Sequence, residues 1–180
     1  MKKLLVSLCI AVLLVVIVAG IAYAATGVSD PAVLRQLAQV RRATAKYHDI
    51  NAALADGFIP TPHCIESPDG VMGIHYINID RLMDPEVNIL EPEILLYVES
   101  GAGLKLVGVE YWFSIGAPNT TLEDIPQPYP PAPVIFGRPL EGPMDPHEEG
   151  QGPHYDLHAW VWQGNPNGIF AQFNPNVSCE

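Results

Sequence analysis

From Asp30 onward the apolar positions recur at helical spacing. Val33, Leu37, Val40, Thr44, Tyr47 and Leu54 follow at three- and four-residue steps, with one step doubled, while Arg35, Arg42, Lys46 and Asp49 occupy the opposite face. Asp30-Pro31 supplies an N-cap residue and a proline at the first helical position. Gly57 closes the segment, and Pro60 and Pro62 keep the helix from resuming. The pattern predicts an amphipathic helix with one stripe buried, and a break near His48-Asp49 would divide it into a long and a short piece.

Beyond residue 70 the period changes from helical to alternating. The runs "VMGIHYIN" (71–78), "EILLYVE" (93–99) and "LKLVGVEYWFS" (104–114) are rich in β-branched and aromatic residues and read as strands. Ser100-Gly101-Ala102-Gly103 is a hairpin connection, which makes the second and third strands antiparallel neighbours. Residues 115–153 hold ten of the 18 prolines and predict an extended loop, since proline donates nothing to a strand ladder. Val134, Ile135, Phe136 and Leu140 predict that this loop packs onto the domain. A last run, "HYDLHAWVW" (154–162), alternates as a strand between Gly152-Pro153 and Gly164-Asn165-Pro166, and the Asn-Pro-Asn triplets at 165–167 and 174–176 mark turns. Together these elements predict an α+β fold: an N-terminal helical segment packed on an antiparallel sheet, with one long proline-rich loop.

The first 24 residues belong to a different kind of signal. Lys2 and Lys3 precede an apolar run from Leu4 to Ile21, and Ala22-Tyr23-Ala24 has the form of a cleavage site, so residues 1–24 read as a secretory signal peptide and 25–180 as a single exported domain. An uncleaved N-terminal anchor is the competing reading, because the run approaches the ~20 residues that span a bilayer. Cys9 follows Leu8 rather than a small residue and does not predict a lipid anchor. Without Lys2 and Lys3, seven basic residues face 20 acidic ones, a net charge of −13. That balance argues against nucleic acid and against an anionic membrane surface as partners.

Export also bears on the remaining cysteines, Cys64 and Cys179. An even count in an oxidising compartment favours a disulfide between them; a thiolate metal ligand would call for a CxxC partner, and none occurs. No GxSxG elbow, GxGxxG fingerprint or phosphate-binding loop is present, so neither serine-hydrolase nor nucleotide chemistry is indicated.

The candidate chemistry lies on the strands. On a strand, His154, Asp156, His158, Trp160 and Trp162 share one face, opposite Tyr155, Leu157, Ala159 and Val161. His154 and His158 are then about 13 Å apart and cannot grip one ion without partners from other strands. His75 lies with Gly73 and Ile77, opposite Ile74 and Tyr76. Glu110 lies with Gly108 and Trp112, opposite Val107, Val109, Tyr111 and Phe113. If the strands are neighbours, His75, Glu110 and His158 converge between Trp112 and Trp160. Two imidazoles and a carboxylate with an open position suit zinc, copper or non-haem iron. His154 or Asp156 would orient a ligand from outside or line the pocket. His147-Glu148-Glu149 reads as solvated charge, His63 as a loop residue and His48 as part of the helix surface.

The strings "GFIPTPHCIESPDGVMGIHYIN", "LVGVEYWF", "HYDLHAWVWQGNPNGIF" and "FNPNVSC" resemble a family of secreted bacterial proteins with no established activity. The resemblance spans most of residues 25–180. It implies export and one domain, and it implies no catalytic residues. Whether the protein is an enzyme stays open at this point. So do two alternatives to metal binding: a tryptophan-lined pocket for a small organic ligand, and a structural envelope protein with a fully paired polar network.

Overall fold

A computed structural model describes residues 28–101, 103–147 and 150–179. The segment read as a signal peptide, with Cys9, lies outside the described residues, as do Glu148 and Glu149.

Helix α1 (Pro31–Thr44) starts where the sequence places it: the Asp30 carboxylate accepts the Ala32 N–H at 2.7 Å, and Pro31 occupies the first turn. Val33, Leu37, Val40 and Thr44 form its buried stripe. A single 3-10 turn (Ala45–His48) and a short α2 (Ile50–Ala55) follow, separated at Asp49, whose side chain accepts the Asn51 N–H. The break near His48-Asp49 is therefore real. It rotates the last turn so that Ala53, not Leu54, faces the core; Leu54 is 49% exposed.

Among the described residues eight strands follow: β1 (Phe58–Ser67), β2 (Gly70–Asn78), β3 (Ile94–Ser100), β4 (Gly103–Ser114), β5 (Val134–Ile135), β6 (Arg138–Pro139), β7 (Glu141–Met144) and β8 (His154–Ala159), with a one-turn helix α3 (Ile79–Leu82) after β2. Six of them build an antiparallel sheet in the order β1-β2-β3-β4-β8-β7, and β5 pairs only with β6. The fold is the α+β arrangement that the pattern predicts.

Two strands of the six-stranded sheet arise where prolines predict none. β1 contains Pro60 and Pro62, and β7 contains Pro143. Both lie at the outer edges of the sheet, where a missing N–H costs no ladder bond, and both show irregular register. His63 thus sits on an exposed edge strand rather than in a loop. The segment 115–153 is also not strand-free, since it contributes β5, β6 and β7. Ile135, Phe136 and Leu140 are buried as expected, whereas Val134 is 67% exposed.

The sheet divides the apolar residues into two groups. One face carries Tyr76, Leu95, Tyr97, Val109, Tyr111, Tyr155 and Leu157 and packs under α1 with Val33, Leu37 and Val40. The Tyr97 hydroxyl anchors this layer by donating to the Tyr47 carbonyl at 2.6 Å. The other face carries Ile77, Ile94, Leu96, Val98, Val107, Trp112 and Trp160. Val107 lies here, and not with Val109 as strict alternation predicts. Leu96 pairs with Gly108 and Tyr97 with Leu106, so Val107 is the extra residue of a β-bulge that reverses the alternation.

The C-terminal segment returns over this second face. The Trp160 indole donates to the Ala171 carbonyl at 2.6 Å, Ile169 and Val177 pack against the Trp112–Trp160 group, and Asn174 bridges to Val71 on β2. The Cys64–Cys179 disulfide then ties the end of the chain to β1. Among the described residues no helix is long and apolar enough to cross a membrane.

Candidate metal centre

The second sheet face carries an unusual row of ionisable groups. Glu110 on β4 pairs in register with His158 on β8, and Ile94 on β3 pairs with Glu110 from the other side. His75 on β2 reaches over β3, whose facing residues there are Ile94 and Leu96. His75 Nε2 lies 3.2 Å from Glu110 Oε2, and His158 Nε2 lies 3.7 Å from the same oxygen. All three residues are buried, and one ligand atom from each falls within 4.8 Å of the others.

These separations distinguish two kinds of contact. A hydrogen bond from an imidazole to a carboxylate is ~2.7–2.9 Å when charge-assisted, and 3.7 Å is too long for one. Ligands of a tetrahedral ion with bonds of ~2.0–2.1 Å lie roughly 3.3 Å apart, which the two observed distances bracket. Glu110 Oε2 and His158 Nε2 are both buried without a hydrogen-bond partner, and so is His75 Nδ1. Burial pushes the Glu110 carboxyl up, but positive charge on the His158 and His75 rings beside it outweighs that and holds it below the ordinary carboxylate range. An ionised carboxylate with one unpaired oxygen in the interior costs several kcal/mol unless a cation compensates it.

Gly108 shapes the same corner. A Cβ there would meet the Ala159 carbonyl oxygen at 3.0 Å and Leu96 Cδ1 at 3.3 Å, so the absence of a side chain lets the end of β8 close over β4. Nearby, Glu93 is buried, its carboxylate accepts the Trp112 N–H at 3.1 Å, and burial raises its pKa to about 8.

The flanking residues separate into distinct roles. His154 and Asp156 share the face with His158, as alternation predicts, but they turn towards β7 and form a second group with His147. They are therefore not placed as supports for the first group. Trp112 stacks on His154, with centroids 3.4 Å apart and planes 15° from parallel, while Trp160 stacks on His158 at 6.4 Å. Both tryptophans fill space in the core. Trp162 departs from the predicted face. β8 ends at Ala159, and the chain then turns so that the Trp162 indole donates to Thr44 Oγ1 on α1 and its ring meets His48. A depression lined by Trp160, Trp162, Leu37, Arg41 and Ile169 lies on that side, without Trp112.

His147 is the residue that sequence reasoning assigned to solvent. It lies in an irregular turn held by its own N–H donating to the Gln151 side-chain oxygen, and its Nε2 approaches Asp156 Oδ2 at 3.7 Å. Only its position seven residues before a strand of alternating polar residues hinted at this, and the proline-rich surroundings hid it. Compared with family models, with curated proteins and with solved structures, the chain finds no match in any of the three.

Proposed function

We propose that this protein is an exported metal-binding domain whose buried centre is formed by His75, Glu110 and His158. The observation that carries the reading is the buried, unpaired Glu110 Oε2 facing two imidazole nitrogens at 3.2 and 3.7 Å. Two nitrogens and one carboxylate match the ligand sets of zinc, copper and non-haem iron. Three protein ligands leave a fourth coordination position unfilled, and a small molecule would meet Lewis-acid or redox chemistry there only if the buried centre opens to admit it. The Cys64–Cys179 disulfide supports an oxidising compartment, and the resemblance to secreted bacterial proteins points the same way.

The competing occupant of the same space is a proton on one of the imidazoles, which would make the group a structural ion pair. Elemental analysis of the exported protein, purified without chelator or affinity tag, separates the two. One equivalent of metal per chain that is present in the wild type and absent from a folded His75→Ala/His158→Ala variant supports the centre and names its ion. Uptake of zinc, copper and iron that is the same in both proteins leaves only the ion pair at this centre.

A further inference from the structure

A second cluster lies beside the first and uses none of its residues. Met144 at the end of β7 pairs in register with His154 on β8, and the turn after β7 brings His147 back over both. His147 Nε2 lies 3.2 Å from Met144 Sδ and 3.7 Å from Asp156 Oδ2, and His154 Nε2 lies 3.8 Å from that same oxygen. One ligand atom from each of His147, His154 and Asp156 falls within 4.8 Å of the others.

The protonation of His154 makes the cluster informative. Its Nδ1 faces the Gly152 carbonyl oxygen at 3.0 Å, a contact that needs the proton on Nδ1. In the neutral ring Nε2 then presents a lone pair, 3.8 Å from a carboxylate oxygen of Asp156. His154 Nε2 and Asp156 Oδ2 are each buried without a hydrogen-bond partner, and the two side chains are 0% and 2% exposed. Two acceptors 3.8 Å apart in the interior repel each other unless a proton or a metal cation compensates them. The bond from Nδ1–H to a carbonyl is also the outer contact that commonly fixes a metal-bound histidine.

We propose that His147, His154, Asp156 and the thioether of Met144 form a second metal site, and that its ion is copper. Imidazoles and a carboxylate would accept zinc or copper alike. The thioether is the discriminating ligand, because methionine sulfur favours copper and adds little for harder ions. The His147 side chain is 34% exposed, so this site opens to solvent whereas the His75/Glu110/His158 centre is closed. The inference does not rest on metal binding at that centre.

The test titrates the full exported protein anaerobically with cuprous ion, supplied as its bicinchoninate complex, and reads the copper environment by X-ray absorption. The expected result has the His75→Ala/His158→Ala variant still taking one copper with a sulfur neighbour. Met144→Leu should remove that sulfur and weaken binding at least tenfold, and His147→Ala should weaken it similarly. Both single substitutions change side chains that are not part of the apolar core, so they keep the test valid if the double variant fails to fold. In the wild-type background the sulfur signal still reports this site alone, because the other centre contains no sulfur ligand. Copper without a sulfur neighbour, or affinity unchanged by Met144→Leu and His147→Ala, overturns the proposal.

Discussion

His75 Nε2 and Glu110 Oε2 lie 3.2 Å apart although their strands are not neighbours: β3 runs between them, and only Ile94 and Leu96 separate the two side chains on that face. The contact exists because two long polar side chains lean over an apolar strand towards a common point, which His158 approaches from the far side of β4. A carboxylate buried in this way is a liability in the absence of a cation, and that liability generates the first prediction.

Metal should stabilise the fold in a way that depends on the three side chains. With free metal at a hundred times its dissociation constant, the gain is ~2.7 kcal/mol by mass action. In a Met144→Leu/His147→Ala background, thermal melts before and after chelation should therefore differ by several degrees with His75 present and coincide once His75→Ala is added. Identical wild-type melts across a full titration with zinc, copper and iron would count against the centre.

Glu93 predicts a pH dependence of its own. Its carboxyl is raised by burial to about 8 from an ordinary value of 4.5. A raised folded pKa contributes stability that is fully present below 4.5 and is lost as pH rises through about 8. Glu93→Gln retains an oxygen to accept the Trp112 N–H and has no proton to lose. Urea melts at pH 5 and pH 9 should show the wild type losing roughly 1 kcal/mol or more relative to the variant. Parallel pH profiles would show that Glu93 is not held protonated.

Gly73 is required by the close approach of β3. Its φ is +104°, and a Cβ would stand 2.6 Å from the Tyr97 carbonyl oxygen, a backbone atom that cannot swing aside. Gly73→Ala should cost at least about 2 kcal/mol through strain and displacement of the β2–β3 pair. A loss under about 0.5 kcal/mol in denaturant melts would mean that the strands relax freely there.

The disulfide closes a separation of 115 residues and pins the C-terminal segment over the candidate centre. Reduction, or replacement of both cysteines by serine, should lower stability by about 2–4 kcal/mol. The same change should speed exchange of the Asn174–Val71 bridge amides, measured by hydrogen exchange. Unchanged protection at those amides would show that the segment is held by its packing alone.

The strand residues with ionisable side chains in the two clusters were legible because alternation along a strand assigns side chains to faces, whereas His147, read as solvated charge, and Met144 were not. His75, Glu110, Asp156, His154 and His158 each stood opposite a conventional apolar set, and the disulfide followed from two cysteines in an exported chain. Alternation failed at defined points. The Val107 bulge reverses the pattern within β4, and β8 stops at Ala159, which sends Trp162 to α1. The prolines of β1 and β7 are compatible with strands only at a sheet edge, and edge status is a property of the assembled sheet.

The sequence by itself determined the element types, the burial stripe of α1 and the sharing of one face by the ionisable strand residues, because each depends on the local backbone period. The tertiary structure decided which of those residues meet. Glu110 joins His158 through strand pairing, His75 arrives across an intervening strand, and His154 with Asp156 turns towards Met144 and His147. Strand order, bulges and the path of an irregular loop arise from contacts distant in sequence, and no local period encodes them.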